Sequence, residues 1–183
     1  MSFQVLRVMD NQTYIEKYLE DLYRSTIHPK GQRCINLASF ADEYPNSRTV
    51  IIRKFNKDKH SLIIYTHTLS DKVTELKANP RASLCWYDAK KKLQVQMKVI
   101  ANIIKDKDKQ KEHFKNVSKS SLKDYLGIKP GKEYIESNND DLHFQVIEFE
   151  IKEYTFLELD REKHKKFLFK PNANKKTYQR LIP

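Results

Sequence analysis

Two pairs of short β-rich runs, each joined by a polar link of hairpin length, restrict this chain to antiparallel neighbours. SRTVIIRKF (47–55) and SLIIYTH (61–67) flank NKDK, and RASLCWYD (81–88) and KLQVQMKVIANIIK (92–105) flank the lysine-rich turn AKKK. Links this short suit antiparallel strands, because parallel neighbours need a crossover of roughly a dozen residues. Gln94, Gln96 and Lys98 alternate with Val95, Met97 and Val99, which predicts a strand with one polar and one apolar face. CINLASF (34–40) adds a strand before the first pair. HFQVIEFEIKEYTFLELD supplies one or two more, KHKKFLFK another and KTYQRLIP a terminal one.

Helices fill the gaps between these runs. In DNQTYIEKYLEDLYR (10–24), Tyr14, Ile15, Tyr18, Leu19, Leu22 and Tyr23 recur at helical spacing behind a cap at Asp10, Asn11 or Thr13. SDKVTELKANP predicts a short helix from near Ser70 that stops at Asn79-Pro80. Residues 107–126 read as helical, breaking at Gly127 and again at KPG, and EYIESNNDDL reads as a surface loop. About seven or eight strands joined mostly by hairpins predict a mainly β, α+β barrel rather than a parallel sheet. At 183 residues the chain is expected to form a single domain, 1–183, with a substantial core.

Composition removes several function classes. Three glycines are too few for a glycine-rich phosphate loop, and no G-x-S-x-G elbow is present. The six histidines show no metal-ligand spacing, so no metal site is predicted. Neither a signal peptide nor a membrane span is expected, and Cys34 and Cys85 read as reduced core thiols of a cytoplasmic protein. A disulfide between them is conceivable only if their strands are adjacent. The net charge of +11 comes mostly from lysines spread along the chain, which favours a solvated surface over a nucleic-acid groove.

One stretch concentrates chemistry. RTVIIRKFNKDKHSLIIYTHTLSDK (48–72) carries Arg48, Thr66, Ser70 and Lys72, a mixture of cations and hydroxyls suited to a phosphate monoester, beside a helix start with free N–H groups. The same residues also read as ordinary strand-rim positions, with Tyr65 half-buried and Ser70 a simple cap. Arg48 and Arg53 have opposite parity and cannot grip one phosphate from a flat strand. They can serve one elongated ligand, or a bulge can re-aim one of them.

These blocks, in order, resemble the pyridoxamine 5'-phosphate oxidase-like, FMN-binding split-barrel family. SRTVIIRKF is similar to its R-x-V-x-[LV]-[KR] strand, LIIYTHTLSDK to F-Y-T-x-x-x-S-R-K, and ELKANPRASLCWY to L-x-x-N-P-R-[AV]-[AS]-L-x-[FW]. LQVQMKV is similar to Q-V-R-V, and YQRLIP to W-x-x-x-R-L-x-P. The likeness covers residues 34–105 well and 143–183 loosely. It implies a six- to eight-stranded antiparallel split β-barrel with flanking helices, forming a homodimer with FMN between subunits. On matching positions, Arg48 and Lys72 would hold the FMN phosphate with Thr66 and Ser70. The run Thr49, Val50, Ile51 and Ile52 would line the cofactor, with the 50–53 backbone and Arg53 along the isoalloxazine. Tyr65 would sit beside the ring and Gln94 would reach in from the partner.

The departures are specific. Asp71 stands where the family has the arginine of S-R-K, placing a carboxylate beside the phosphate. Phe156 or Leu157 replaces an expected tryptophan, and Lys165 or Lys166 an expected arginine. FKNVSKSSLKDYLGIKPGKEY lacks the recognition pattern of the vitamin B6 oxidases. The resemblance therefore implies an FMN-dependent oxidoreductase of unknown small-molecule substrate, with no catalytic side chain assigned. Two alternatives stand beside it: a non-catalytic flavin- or haem-binding module, and a basic nucleic-acid-binding protein.

Overall fold

The computed structural model describes residues 10–28, 31–127, 130, 141–171 and 176–183. Strands β1 (Cys34–Phe40), β2 (Pro45–Asn56), β3 (Ser61–His67), β4 (Arg81–Asp88), β5 (Leu93–Ile103) and β6 (Phe144–Glu158) run antiparallel in the order β3-β2-β1-β4-β5-β6. β6 then pairs back onto β3, closing a six-stranded barrel. β7 (Lys165–Lys170) and β8 (Thr177–Leu181) extend the sheet beyond β6. Both predicted hairpins form, with turns at residues 57–60 and 89–92.

Alternation directs the core. Ile35 and Leu37 on β1, Leu84 and Trp86 on β4, and Val95, Met97 and Val99 on β5 point inward and are buried. The Trp86 indole N–H is satisfied by the Gln32 carbonyl at 2.9 Å. The cysteines fall on the opposite parity. Cys34 is exposed and Cys85 partly exposed on the outer face, both unbridged, so the expectation of core thiols is corrected: Ile35 and Leu84 take the inward positions.

The strand β6 belongs to two partnerships. Residues 144–150 pair with β3, and Tyr154–Glu158 pair with β7. The change occurs where Lys98 faces Glu153 and Val99 faces Ile151, leaving Lys152 as an extra residue that bends the strand out of the barrel.

Helix α1 (Asn11–Ile27) is capped by Asp10, whose Oδ1 accepts from the Thr13 N–H at 2.8 Å. Its buried face, Ile15, Tyr18, Leu19 and Leu22, packs with Phe156 and Phe167, and the Tyr18 hydroxyl donates a short hydrogen bond to Glu158. Helix α2 (Asp71–Ala78) follows β3 and stops at Asn79. The single helix predicted for 107–126 is two pieces, α3 (Lys107–Phe114) and a 3-10 helix (Lys119–Tyr125). Between them the Ser118 hydroxyl bonds to those of Ser120 and Ser121, local pairing that competes with a continuous helix.

Most of the loop predicted at EYIESNNDDL lies outside the described residues. Among the described residues no helix is long and apolar enough to cross a membrane, and no group of His, Cys, Asp and Glu side chains is placed to hold a metal ion.

Candidate functional site

The edge of β2, the end of β3 and the start of α2 meet at a cleft of about 270 Å³, bordered on its far side by Asp124, Tyr125 and Pro130. The register of β2 against β3 slips between Ile52 and Lys54, so Arg53 is the extra residue of a bulge. This resolves the parity conflict between Arg48 and Arg53. Both arginines line the same cleft, together with Thr49, Val50 and Ile51 from the intervening strand. Tyr65, Thr66, Ser70 and Lys72 complete its opposite wall.

Two of the predicted residues lie elsewhere. The Ile52 side chain is buried in the core, and its N–H is already bonded to the Arg33 carbonyl at 2.9 Å. Gln94 sits on β5 opposite Tyr87 and Leu157, on the outer face of the barrel.

At one end of the cleft, Lys72 Nζ donates to Thr66 Oγ1 at 3.0 Å, and Thr66 Oγ1 lies 3.1 Å from Ser70 Oγ. Lys72 is half-buried, and its pKa is pushed below the ordinary lysine range by burial and then by the Arg48 charge, against the pull of Glu75 and Asp71. Its bonded partner is a neutral hydroxyl, so an anion here would gain more than it would beside a solvated lysine. Ser70 caps α2 with its backbone while its side chain makes no cap bond, leaving that hydroxyl in the hydroxyl cluster. Asp71 does not line this cleft. It lines a neighbouring depression with Asp42, Asn46 and Glu75, so the carboxylate expected beside the phosphate group is turned to another surface.

The other end is aromatic. The Arg53 guanidinium carbon lies 5.7 Å from the centre of the Tyr65 ring, and Arg53 Nη2 donates to the Tyr125 hydroxyl at 3.3 Å. Tyr65 is fixed in turn by Phe144, edge-on at 5.0 Å, and by a 3.1 Å hydrogen bond between its hydroxyl and His113 Nδ1. Burial raises the pKa of both tyrosines, and the Arg53 charge opposes it, so both phenols stay neutral donors. His67 lines the cleft with its ring against His143 at 4.7 Å. Its Nδ1 accepts from the Leu69 N–H at 3.1 Å, which puts the proton of the neutral ring on Nε2. Burial, followed by the His143 charge, holds that ring below the ordinary imidazole range.

His67, Tyr125 and Glu75 are the contributors that sequence reasoning missed. The pattern of residues 107–126 puts Tyr125 inside a helix, and only the 3-10 turn brings it against β3. Glu75 meets Ser39 and Asn46 from distant strands, pairings with no local signature. Of the two candidates for the expected tryptophan, Phe156 is fully buried in the core; of the two for the expected arginine, Lys165 is partly exposed, 3.5 Å from Glu158 and over the Tyr14 ring.

A family model described as pyridoxamine 5'-phosphate oxidase matches residues 19–158. The pyridoxine/pyridoxamine 5'-phosphate oxidase of Pelagibacter ubique (strain HTCC1062) is 30% identical over 114 residues, which are 62% of this chain and 52% of that protein. The chain thus spans about half the length of the curated relative it matches. Among solved structures, a pyridoxamine 5'-phosphate oxidase-related, FMN binding protein of Nostoc punctiforme PCC 73102 superposes with TM-score 0.76 at 20% identity, covering 100% of both chains. PhzG of Burkholderia lata 383, solved with tetrahydrophenazine-1-carboxylic acid, gives TM-score 0.73 at 15% identity over 95% of this chain and 93% of that one. At these identities the superpositions establish the fold.

Proposed function

Because the chain belongs to the pyridoxamine 5'-phosphate oxidase family, we propose that it is an FMN-binding flavoprotein acting as an FMN-dependent oxidoreductase on a small molecule. The observation that carries this reading is Lys72: a half-buried ammonium, hydrogen-bonded to a neutral threonine at the start of a helix and facing a cleft shared with two arginines. This donor set fits a phosphate monoester, and the aromatic end fits a flat ring. Lys72, Thr66, Ser70 and Arg48 would bind the phosphate. Thr49, Val50 and Ile51 would follow the cofactor to Arg53 and Tyr65 at the ring.

Bound FMN supplies two-electron transfer; the protein supplies position and charge. Arg53, held by Tyr125 and lying over Tyr65, brings positive charge to the ring end. Tyr65 and Tyr125 present aromatic faces there, both held from behind by Phe144. No side chain need act as a nucleophile.

We further propose a homodimer formed through the outer face of β2, β1, β4 and β5. Thr49, Asn36, Cys85 and Gln96 stand side by side across it, all uncharged in a chain whose residues are 32% charged, while the neighbouring row of Ser47, Ala38 and Ser83 ends on β5 at Lys98. An uncharged row crossing four strands, with Lys98 and Arg81 only toward its β4 and β5 side, fits the uncharged centre and charged rim of an interface. Thr49 and Ile51 border both this face and the cleft, and Gln94 on the same face would reach a partner's cleft. The unbridged cysteines favour the cytoplasm.

Freshly purified protein should be yellow, or become so with FMN. Saturation at about a hundredfold over Kd should raise Tm by roughly 5–10 °C. A colourless protein that FMN does not stabilise would overturn the proposal. A second reading, a non-catalytic flavin- or haem-binding module, is favoured by the internal pairing of Arg48 with Glu75. Bound flavin that no donor among NADH, NADPH and a panel of small reductants reduces would select it.

A further inference from the structure

Glu75 lies one turn along α2 from Lys72 and is 9% exposed. It accepts from Ser39 Oγ at 2.5 Å, from Asn46 Nδ2 at 2.6 Å, and from Arg48 Nη2 at 2.9 and 3.1 Å. Arg48 Nη1 also donates to Ser39 Oγ, so Arg48, Ser39 and Glu75 close a ring of hydrogen bonds. Burial pushes the Glu75 carboxyl up, but the bonds from Ser39 and Asn46 and the Arg48 charge outweigh it and keep the group ionised. The other charged groups around this ring are Lys72 and Asp71 on α2 and Asp42 beside the neighbouring depression. His67, Arg53 and Asp124 stand farther along the cleft.

A guanidinium committed to a buried carboxylate has fixed geometry and little net charge to offer. We propose that Glu75 sets the anion affinity of the cleft: it holds Arg48 in place while offsetting its charge, so that the phosphate end meets its ligand with one net positive charge, on Lys72. Under the FMN reading on which this rests, the mononucleotide is a readily exchanged ligand rather than a permanently held one. A fully cationic pair would bind the same dianion more tightly and release it more slowly.

The test is the affinity of the full chain and its Glu75→Gln variant for FMN, for inorganic phosphate, and for riboflavin, which lacks the phosphate. Glutamine keeps the shape and an acceptor for Ser39 while removing the charge. FMN and phosphate should bind on the order of tenfold more tightly to the variant at low salt. That gain should shrink as salt is raised, and riboflavin affinity should not change. FMN affinity that is unchanged or weaker in the folded variant overturns the proposal. If Glu75→Gln does not fold, Arg48→Gln is compared with the Arg48→Gln/Glu75→Gln double variant, in which the unpaired buried carboxylate is gone. The double variant should regain FMN affinity lost in the single one, and no regain overturns the proposal. A parent chain that binds neither FMN nor phosphate overturns the FMN reading and this inference with it, whereas a parent that binds both, without a gain in the variant, overturns this inference alone.

Discussion

The outer surface of the barrel is treated in two ways. Around β7, helix α1 lays Tyr14 and Tyr18 on Phe167, and Tyr18 on Phe156, so that side is finished within one chain. The β2-β1-β4-β5 face has only uncharged side chains along Thr49, Asn36, Cys85 and Gln96. The first surface owes its stability to aromatic burial; the second contributes little to the stability of a single chain and is the face proposed to meet a second copy. The cleft lies at the margin of the second, where Thr49 and Ile51 turn from the strand edge.

Substitutions on the two sides should therefore fail differently. Phe167→Ala removes a ring that is 1% exposed, stacked on Tyr14 and tilted against Tyr18. It should cost about 3–5 kcal/mol, read as a lower urea midpoint with no change in subunit number. Asn36→Glu on the uncovered face should leave the stability of the single chain within about 0.5 kcal/mol. It places like charges on both copies of that face, and should weaken self-association by roughly 2–3 kcal/mol, seen in sedimentation velocity. FMN affinity should fall with it. A fully dimeric Asn36→Glu protein would erase the distinction drawn between the two surfaces.

Lys72→Met sharpens the position of the cleft at the margin. It should reduce FMN affinity about tenfold or more without altering sedimentation, because it removes a charged donor and no contact of the outer face. The smallest effect is on pH dependence. His67 has a folded-state pKa below the ordinary 6.5, so between the two values the unfolded chain binds more protons. Stability should then rise with pH through that window and be fully present above it. His67→Gln should flatten the slope of the urea midpoint between pH 5 and 7, while His60, whose pKa burial also lowers, keeps part of it.

Most strands were legible because their signals are local: alternation in LQVQMKV and the polar links NKDK and AKKK mark hairpins wherever they occur. The same alternation, read one residue further, would have placed Cys34 and Cys85 outward. The bulge at Arg53 was anticipated only as one of two ways out of the parity conflict, since a register slip depends on the partner strand. The site was legible to the extent that it is built from residues 48–72. Glu75 was not, because the chemistry of that carboxylate depends on Ser39 and Asn46, brought to it by the barrel. The break between α3 and the 3-10 helix follows from serines whose hydroxyls serve one another.

The dual pairing of β6 has a consequence in time. β1 to β5 are joined by local hairpins, β1 to β4 excepted, and can pair as each emerges. The barrel cannot close until Ser61 finds Glu150, far along the chain. Until then the edges of β3 and β5 stand open on a half-built sheet, ready to accept any extended segment. Closure of so long a loop should dominate the folding time and make the nascent chain most prone to aggregation just before β6 is made.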